Sequence, residues 1–160
     1  MNRTAILTLA CAAALTTACD RVPGTDAYRA RTELSGYLID PGSAKITVYR
    51  GRGNALCGFV NAKNRMGAYV GNTPFLIDEG YPSPALWQEP TTSDYSTWSN
   101  DGASSAGHEA YERLETGCAF KARWVKSCGA DSAVAFVYNE ELCRAWQAKD
   151  WGTLNNRWRY

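Results

Sequence analysis

The chain has 160 residues, with 17 basic against 16 acidic side chains and a hydrophobic fraction of 45%. This composition excludes a disordered tail, because the apolar residues, which include six tryptophans, suffice for the core of one ordinary domain. The charge is balanced and no basic run occurs, so nothing resembles the positive stripe that phosphate backbones require. Nucleic acid is therefore not an expected partner.

The N-terminus has the layout of a secretory signal. After a short basic start, residues 4–18 form an apolar run, shorter than the roughly 20 residues that a membrane-spanning helix needs. Ala18 precedes Cys19, which predicts a signal peptide at 1–18 and lipid attachment to Cys19. Plain secretion or an uncleaved anchor are the alternatives, because Thr16 stands where lipoprotein signals usually have leucine. We expect an exported protein, anchored to the inner or outer membrane and facing the periplasm, or otherwise secreted or periplasmic.

The rest of the chain predicts one domain. Residues 19–27 are polar and contain a Pro-Gly pair, which is typical of a tether, and the domain is predicted at 28–160. A helix is predicted from about Asp26 to Ile39, because aromatic and apolar positions recur there at spacings of three and four residues. The Asp-Pro-Gly sequence at 40–42 is expected to end this helix.

The segment that follows has the clearest strand pattern. Strands are predicted at residues 45–49, 55–63 and 68–77. In the second of these, Cys57 and Phe59 are expected on one face and Leu56, Val60 and Ala62 on the other. Short connections rich in glycine and asparagine join the strands, so a three-stranded antiparallel meander is predicted.

Helices are predicted for most of the C-terminal half. Residues 106–116 have a helical period, and Gly117 is expected to end that helix. Residues 118–128 fit either a strand or a helix, with helix favoured, and residues 138–150 predict a last helix. The expected fold class is therefore α+β, with an N-terminal helix, a three-stranded antiparallel meander and a disulfide-linked helical C-terminal half.

Cysteine usage agrees with export. Apart from the signal and the lipid site, the chain contains Cys57, Cys118, Cys128 and Cys143. An even number in an exported chain predicts two disulfides, and three connectivities stay open. No cysteine pair has the spacing of a zinc site and the chain has a single histidine, so neither a metal nor a cofactor is expected.

One stretch of the chain, residues 40–78, has a familiar pattern. It contains Asp-Pro-Gly-Ser-Ala at 40–44, Cys-Gly-Phe-Val-Asn-Ala-Lys-Asn at 57–64, Gly-Ala-Tyr-Val-Gly at 67–71 and Pro-Phe at 74–75. This stretch resembles a module of small exported bacterial proteins with the pattern Cys-Gly-x-Val-Asn-Ala-Lys-Asn and Gly-x-Tyr-x-Gly-x-x-Pro-Phe. The resemblance implies a lipoprotein or secreted protein and no particular activity. Phe59 stands where an acidic residue is common, which argues against ligand binding at that point.

Within this stretch, Asn61, Lys63, Asn64 and Tyr69 form the sharpest polar group. The predicted hairpin brings Asn61 or Lys63 close to Tyr69, and amide, ammonium and phenol groups together suit an anionic ligand, a sugar or a partner surface. The competing interpretation is turn chemistry, since Asn64 and Gly67 tolerate the left-handed conformations of tight turns. Turn chemistry is the favoured interpretation.

Residues 79–105 lack any period and predict a long loop. They contain the aromatic residues Tyr81, Trp87, Tyr95 and Trp98 and the acidic residues Glu89, Asp94 and Asp101. Aromatic faces stack on sugars and paired carboxylates hydrolyse glycosides, so this loop is a candidate glycan site. Packing of Trp87 and Trp98 against the domain is the favoured alternative.

The sequence favours binding over catalysis. His108 is followed by Glu109, but no serine or cysteine nucleophile motif accompanies them, and no catalytic residue is assigned. We expect a non-catalytic envelope lipoprotein that acts as a binding or interaction protein, with an inhibitor or immunity role as one option, and whose partner is an envelope protein or a cell-wall glycan. The alternative is a cell-wall-directed enzyme or glycan-binding module that uses residues 81–101. An exposed face around Lys63 and Tyr69 would favour the binding protein. A cleft that brings together the tryptophans and carboxylates of the loop would favour the glycan-directed alternative.

Overall fold

The computed structural model describes residues 22–129, 136 and 139–159. The predicted signal peptide and the predicted lipid site at Cys19 therefore lie outside the described residues. Within the described ranges, no helix is both long enough and apolar enough to cross a membrane.

The fold is α+β, as predicted. The strands are β1 (Asp40–Arg50), β2 (Leu56–Lys63), β3 (Thr73–Ile77) and β4 (Ala85–Leu86), which form one antiparallel sheet in the order β1-β2-β3-β4. The helices of the described part are α1 (Asp26–Leu34), α2 (Thr92–Asp101), α3 (Ser105–Cys128), α4 (Glu140–Gln147) and α5 (Trp151–Trp158). The sheet has four strands rather than the predicted three, because β4 is too short to carry an alternating pattern.

The first helix ends before the predicted Ile39. A 3-10 turn follows it, and the Asp-Pro-Gly sequence that was expected to stop the helix instead begins β1 at Asp40. The strand register is irregular at this point, and the side chain of Arg31 supports it by donating to the carbonyl oxygens of Pro41 at 2.8 Å and Ala44 at 2.7 Å. Strand β1 therefore starts earlier than predicted, because Arg31 of α1 provides hydrogen bonds to carbonyl groups in its N-terminal part.

The sheet separates two hydrophobic layers. On one face, α1 contributes Ala30 and Leu34, which pack with a set of strand residues that includes Leu56, Val60 and Ala62. On the other face, Cys57 belongs to a cluster with Trp124 of α3, and the ring of Phe59 lies 6.3 Å from that of Trp124. The predicted division of the two faces of β2 is confirmed.

Helix α3 is longer than predicted and connects the sheet to the other helices. Its C-terminal half packs on the sheet, and its N-terminal half contributes Leu114 to a third cluster built from α2, α4 and α5. The predicted stop at Gly117 is wrong, because the helix continues to Cys128. A Cβ atom at Gly117 would lie 2.6 Å from the carbonyl oxygen of Gln88, so this glycine allows close packing and does not end the helix.

Two further predictions need correction. The region 79–105 is not a continuous loop, since it contains β4 and also α2, which starts with a capping box between Thr91 and Asp94. The predicted last helix is interrupted after α4, where Lys149 has φ +56° and Asp150 caps α5. Helix α2 is polar and the interval between α4 and α5 is short, so neither gives a clear periodic pattern in the sequence. This explains both errors.

Both predicted disulfides form, and the structure determines their pairing. Cys57 is bonded to Cys128, which ties β2 to the end of α3, and Cys118 is bonded to Cys143, which ties α3 to α4. The second bond lies inside the helical half and the first joins that half to the sheet. Two disulfides indicate an oxidising, exported environment.

Candidate functional site

Lys63 and Tyr69 lie side by side, as the hairpin predicts. They form an isolated antiparallel bridge at the end of β2. The Nζ atom of Lys63 lies 5.6 Å from the centroid of the Tyr69 ring, and that of Lys45, on the neighbouring β1, lies 4.5 Å from it. We call these three side chains the lysine–tyrosine face. Both distances are within the range of cation–π attraction.

A hydrogen bond to the backbone holds the Tyr69 ring in place, whereas the two lysine ammonium groups are engaged in no ion pair among the described residues. The Tyr69 hydroxyl donates to the carbonyl oxygen of Ser43 at 3.2 Å, and the residue is still 42% exposed. Neither Lys45 nor Lys63 forms an ion pair with any described residue. Met66 and Val70 are exposed nearby in sequence. The result is a positive surface with an aromatic centre.

The two asparagines of the predicted group have a different role. The Oδ1 atom of Asn61 accepts from the backbone N–H of Gly71 at 3.2 Å. The Oδ1 atom of Asn64 accepts from the N–H groups of Met66 and Ala68 at 3.0 and 3.1 Å. The turn therefore uses the side-chain oxygens of both, and the turn-chemistry interpretation accounts for them.

The aromatic residues of the region 79–105 do not gather in one place. Trp87 packs against Phe120 and Phe136, with ring centroids 5.5 and 5.0 Å away, in the cluster beneath the sheet. Trp98 packs against Trp146, 5.0 Å away, in the cluster of the helical half. Tyr81 covers the guanidinium of Arg123, 3.3 Å from its ring centroid. The cleft that would favour a glycan-degrading enzyme is not formed from these residues.

Asp94 is a structural residue. Its carboxylate is almost fully buried and accepts from the N–H of Thr91 at 2.8 Å, from the Thr91 hydroxyl at 2.7 Å and from Nε of Arg113 at 2.7 Å. Burial by itself would raise the pKa of Asp94, but the bonds from Thr91 and Arg113 outweigh it and hold that pKa below its ordinary value. The carboxylate is thus ionised and fully engaged.

Replacement of Asp94 by asparagine is expected to lower the free energy of unfolding by about 2 kcal/mol at pH 7, because it weakens charged hydrogen bonds at a buried cap. A carboxyl whose pKa is depressed on folding contributes stability above its unfolded pKa, and this contribution is lost as pH falls below about 4. Urea unfolding at pH 7 and pH 3 should therefore show a larger difference between the proteins at pH 7. Asp101→Asn, at an exposed position, is the control, and an equal loss in both variants would contradict this role.

The remaining catalytic candidates lie at the surface. The side chain of His108 is 71% exposed, and its Nε2 atom lies 3.3 Å from Oε1 of Glu112, one helical turn away. A cleft of about 610 Å³ lies between the segment 81–88 and α3, and its lining includes Glu112, Arg113 and Arg123. His108 does not line it, and Arg113 is already paired with Asp94. Among the described residues, no group of histidine, cysteine and acidic side chains could hold a metal ion.

A second surface contains Trp98, which the sequence analysis names as a glycan candidate, together with residues of α5 that it does not name. A shallow pocket of about 370 Å³ has Trp98 and Trp151 in its lining, together with Asn155 and Arg159. The Tyr95 hydroxyl donates to Oδ1 of Asn155 at 2.9 Å. Burial raises the pKa of Tyr95, which Arg159 partly offsets, so this hydroxyl is protonated at neutral pH. The spacing of four residues between Trp151 and Asn155 was the available signal, since it places both on one helical face.

No protein-family model, curated protein or solved structure matches this chain. The family resemblance of residues 40–78 stays a prediction.

Proposed function

We propose that this protein is a non-catalytic binding protein of the bacterial envelope, and that it recognises an acidic surface of another protein through the lysine–tyrosine face. The observation that carries the proposal is the pair of ammonium groups, on Lys45 and Lys63, that approach one half-exposed ring without a carboxylate partner among the described residues. Two adjacent positive charges that lack an internal partner suit carboxylates supplied by another molecule.

The aromatic residue makes this face suitable for a protein partner. Tyrosine is enriched among the residues that contribute most to binding energy, because it buries a large area and loses little side-chain freedom. The bond from Tyr69 to Ser43 already restricts the phenol, which lowers the entropy lost on binding. Lysine side chains in general lay their methylene stems along apolar surface and keep their ammonium groups in water.

The rigidity of the domain favours an inhibitor or immunity type of protein. Such proteins bind with little change of backbone, and a preorganised surface is what they need. The face is presented by paired strands, and the disulfide from Cys57 to Cys128 ties the opposite end of β2 to α3. In this proposal, the signal peptide and the lipid on Cys19 bring the domain to the periplasmic side of a membrane, where its partner would be located.

The glycan-directed enzyme is less well supported. Trp87 and Trp98 belong to different hydrophobic clusters, and the carboxylate of Asp94 is engaged in a cap and an ion pair. Glu89 and Asp101 are exposed, and neither lines the cleft between the segment 81–88 and α3. These residues therefore supply no pair of carboxylates that the described geometry places on opposite sides of a substrate.

The double variant Lys45→Glu/Lys63→Glu is expected to weaken partner binding at least about tenfold, because it places like charges against an acidic surface. The purified protein is immobilised and exposed to envelope extract at low and high salt, and the retained proteins are identified and quantified by mass spectrometry. One protein should be retained in stoichiometric amount, with capture weakened by salt.

The control is Lys126→Glu/Arg144→Glu, which makes the same change of charge on two exposed helical positions. Circular dichroism verifies that both variants are folded. Equal capture by the two double variants would contradict the assignment of the face. Retention of cell-wall fragments alone, or of nothing, would contradict the protein-partner function itself.

A further inference from the structure

We propose that α2 and α5 form a second binding site, for a saccharide that carries a carboxylate group. The site is the shallow pocket of about 370 Å³ lined by Trp98, Trp151, Asn155 and Arg159. It goes beyond the proposed function, since it shares no residue with the lysine–tyrosine face.

Two indole rings make an aromatic shelf in this pocket. The centroids of Trp98 and Trp151 lie 5.7 Å apart and their planes are inclined by 34°. Trp151 is 42% exposed, whereas Trp146, which both rings contact, is almost fully buried and forms the hydrophobic centre of the cluster. Because Trp146 already fills the hydrophobic core, the exposed part of the Trp151 indole is not needed for packing and is available to a ligand. Such a face suits the C–H side of a sugar ring, which is flat and weakly apolar.

The polar groups beside the shelf suit hydroxyl groups. Because Oδ1 of Asn155 accepts from the Tyr95 hydroxyl at 2.9 Å, the orientation of its amide is determined and the Nδ2 group is left to donate to a ligand. The hydroxyl of Ser99 donates to the carbonyl oxygen of Ser96 at 3.1 Å, so its lone pairs can accept. An aromatic floor with a few oriented polar groups is the usual construction of a small-ligand site.

The charge of the pocket points to an acidic sugar. Its lining contains Arg159 and no acidic side chain, and Arg159 forms no ion pair within the described residues. Lys149, whose Nζ atom lies 5.8 Å from the ring centroid of Trp151, is paired with Oε2 of Glu115 at 3.7 Å, so the positive charge of the pocket comes from Arg159. A guanidinium binds a carboxylate in preference to a neutral hydroxyl group.

The experiment compares two disaccharides of similar size. The probe with a carboxylate is N-acetylglucosaminyl-N-acetylmuramic acid, and the neutral probe is N,N′-diacetylchitobiose. Binding is measured by isothermal titration and by tryptophan fluorescence. The acidic disaccharide should bind about tenfold more tightly than the neutral one, as expected for one added charged hydrogen bond, and it should change the fluorescence.

Variants assign this binding to residues. Trp151→Ala should weaken it at least about tenfold, and since Trp151 is exposed the variant should stay folded. Arg159→Gln should remove the preference for the acidic probe while weak binding of both remains. Tyr28→Ala, at an exposed aromatic position on α1, is the control and should bind like the parent protein. Absence of binding, equal affinity for both probes, or unchanged binding by Trp151→Ala would each overturn the proposal, whatever the result for the lysine–tyrosine face.

Discussion

Replacement of both Cys57 and Cys128 by alanine is expected to lower the free energy of unfolding by about 4 kcal/mol. The bond closes a loop with a sequence separation of 71 residues, and the entropy that a cross-link removes from the unfolded chain grows with loop length. It also joins the start of β2 to the end of α3, so its loss removes a covalent link between two elements that are far apart along the chain. A loss of this size is a large part of the stability of an ordinary domain.

The other disulfide provides the matched comparison. Cys118 and Cys143 are separated by 25 residues, so the double alanine variant at these positions should lose about 3 kcal/mol. Guanidinium unfolding followed by fluorescence measures both, and double replacement avoids an unpaired thiol. If the shorter loop caused the greater loss, restriction of the unfolded chain would not be the main contribution of these bonds.

The second large effect is expected at Trp124. Its side chain is fully buried under the sheet, where its ring stacks on Phe120 at 5.8 Å and contacts Tyr49 and Phe59, each 6.3 Å away. Trp124→Ala removes these contacts and leaves a cavity between α3 and the sheet. We therefore expect a loss of about 3 to 5 kcal/mol.

Urea unfolding of Trp124→Ala, followed by circular dichroism, checks this value. The neighbouring Val125→Ala is the control, because Val125 is exposed at the next helical position and should change the stability by less than about 0.5 kcal/mol. Trp124→Phe should fall between the two. Similar losses for Trp124→Ala and Val125→Ala would contradict the placement of Trp124 between helix and sheet.

The parts of the fold that follow from local pattern were predictable. The alternation of β2 and the short connections around it led to the antiparallel meander, because side chains of a strand point alternately to two faces. Predictions were wrong where the structure is decided by contacts between distant segments and not by neighbouring residues. Nothing in the sequence of the first helix reveals that Arg31 supports β1, so its pattern predicts a helix that continues to Ile39. Gly117 predicts a helix end because its close approach to Gln88 involves a residue distant in the chain.

The candidate sites divide in the same way. Lys63 and Tyr69 meet across one hairpin, so their proximity could be predicted from the turn. The contribution of Lys45 depends on the register between β1 and β2, and sequence periodicity does not determine this register. Trp98 and Trp151 meet only because α5 packs beside α2, and the sequence offered no reason to associate them.

The sequence by itself determined the α+β class, the antiparallel meander and the presence of two disulfides, because residue period, turn residues and an even cysteine count are properties of local sequence and composition. Only the tertiary structure decided which cysteines pair, why Gly117 is a glycine and which aromatic residues remain exposed. These outcomes depend on contacts between segments that are far apart in the chain, and such contacts are selected by the packing of the whole domain.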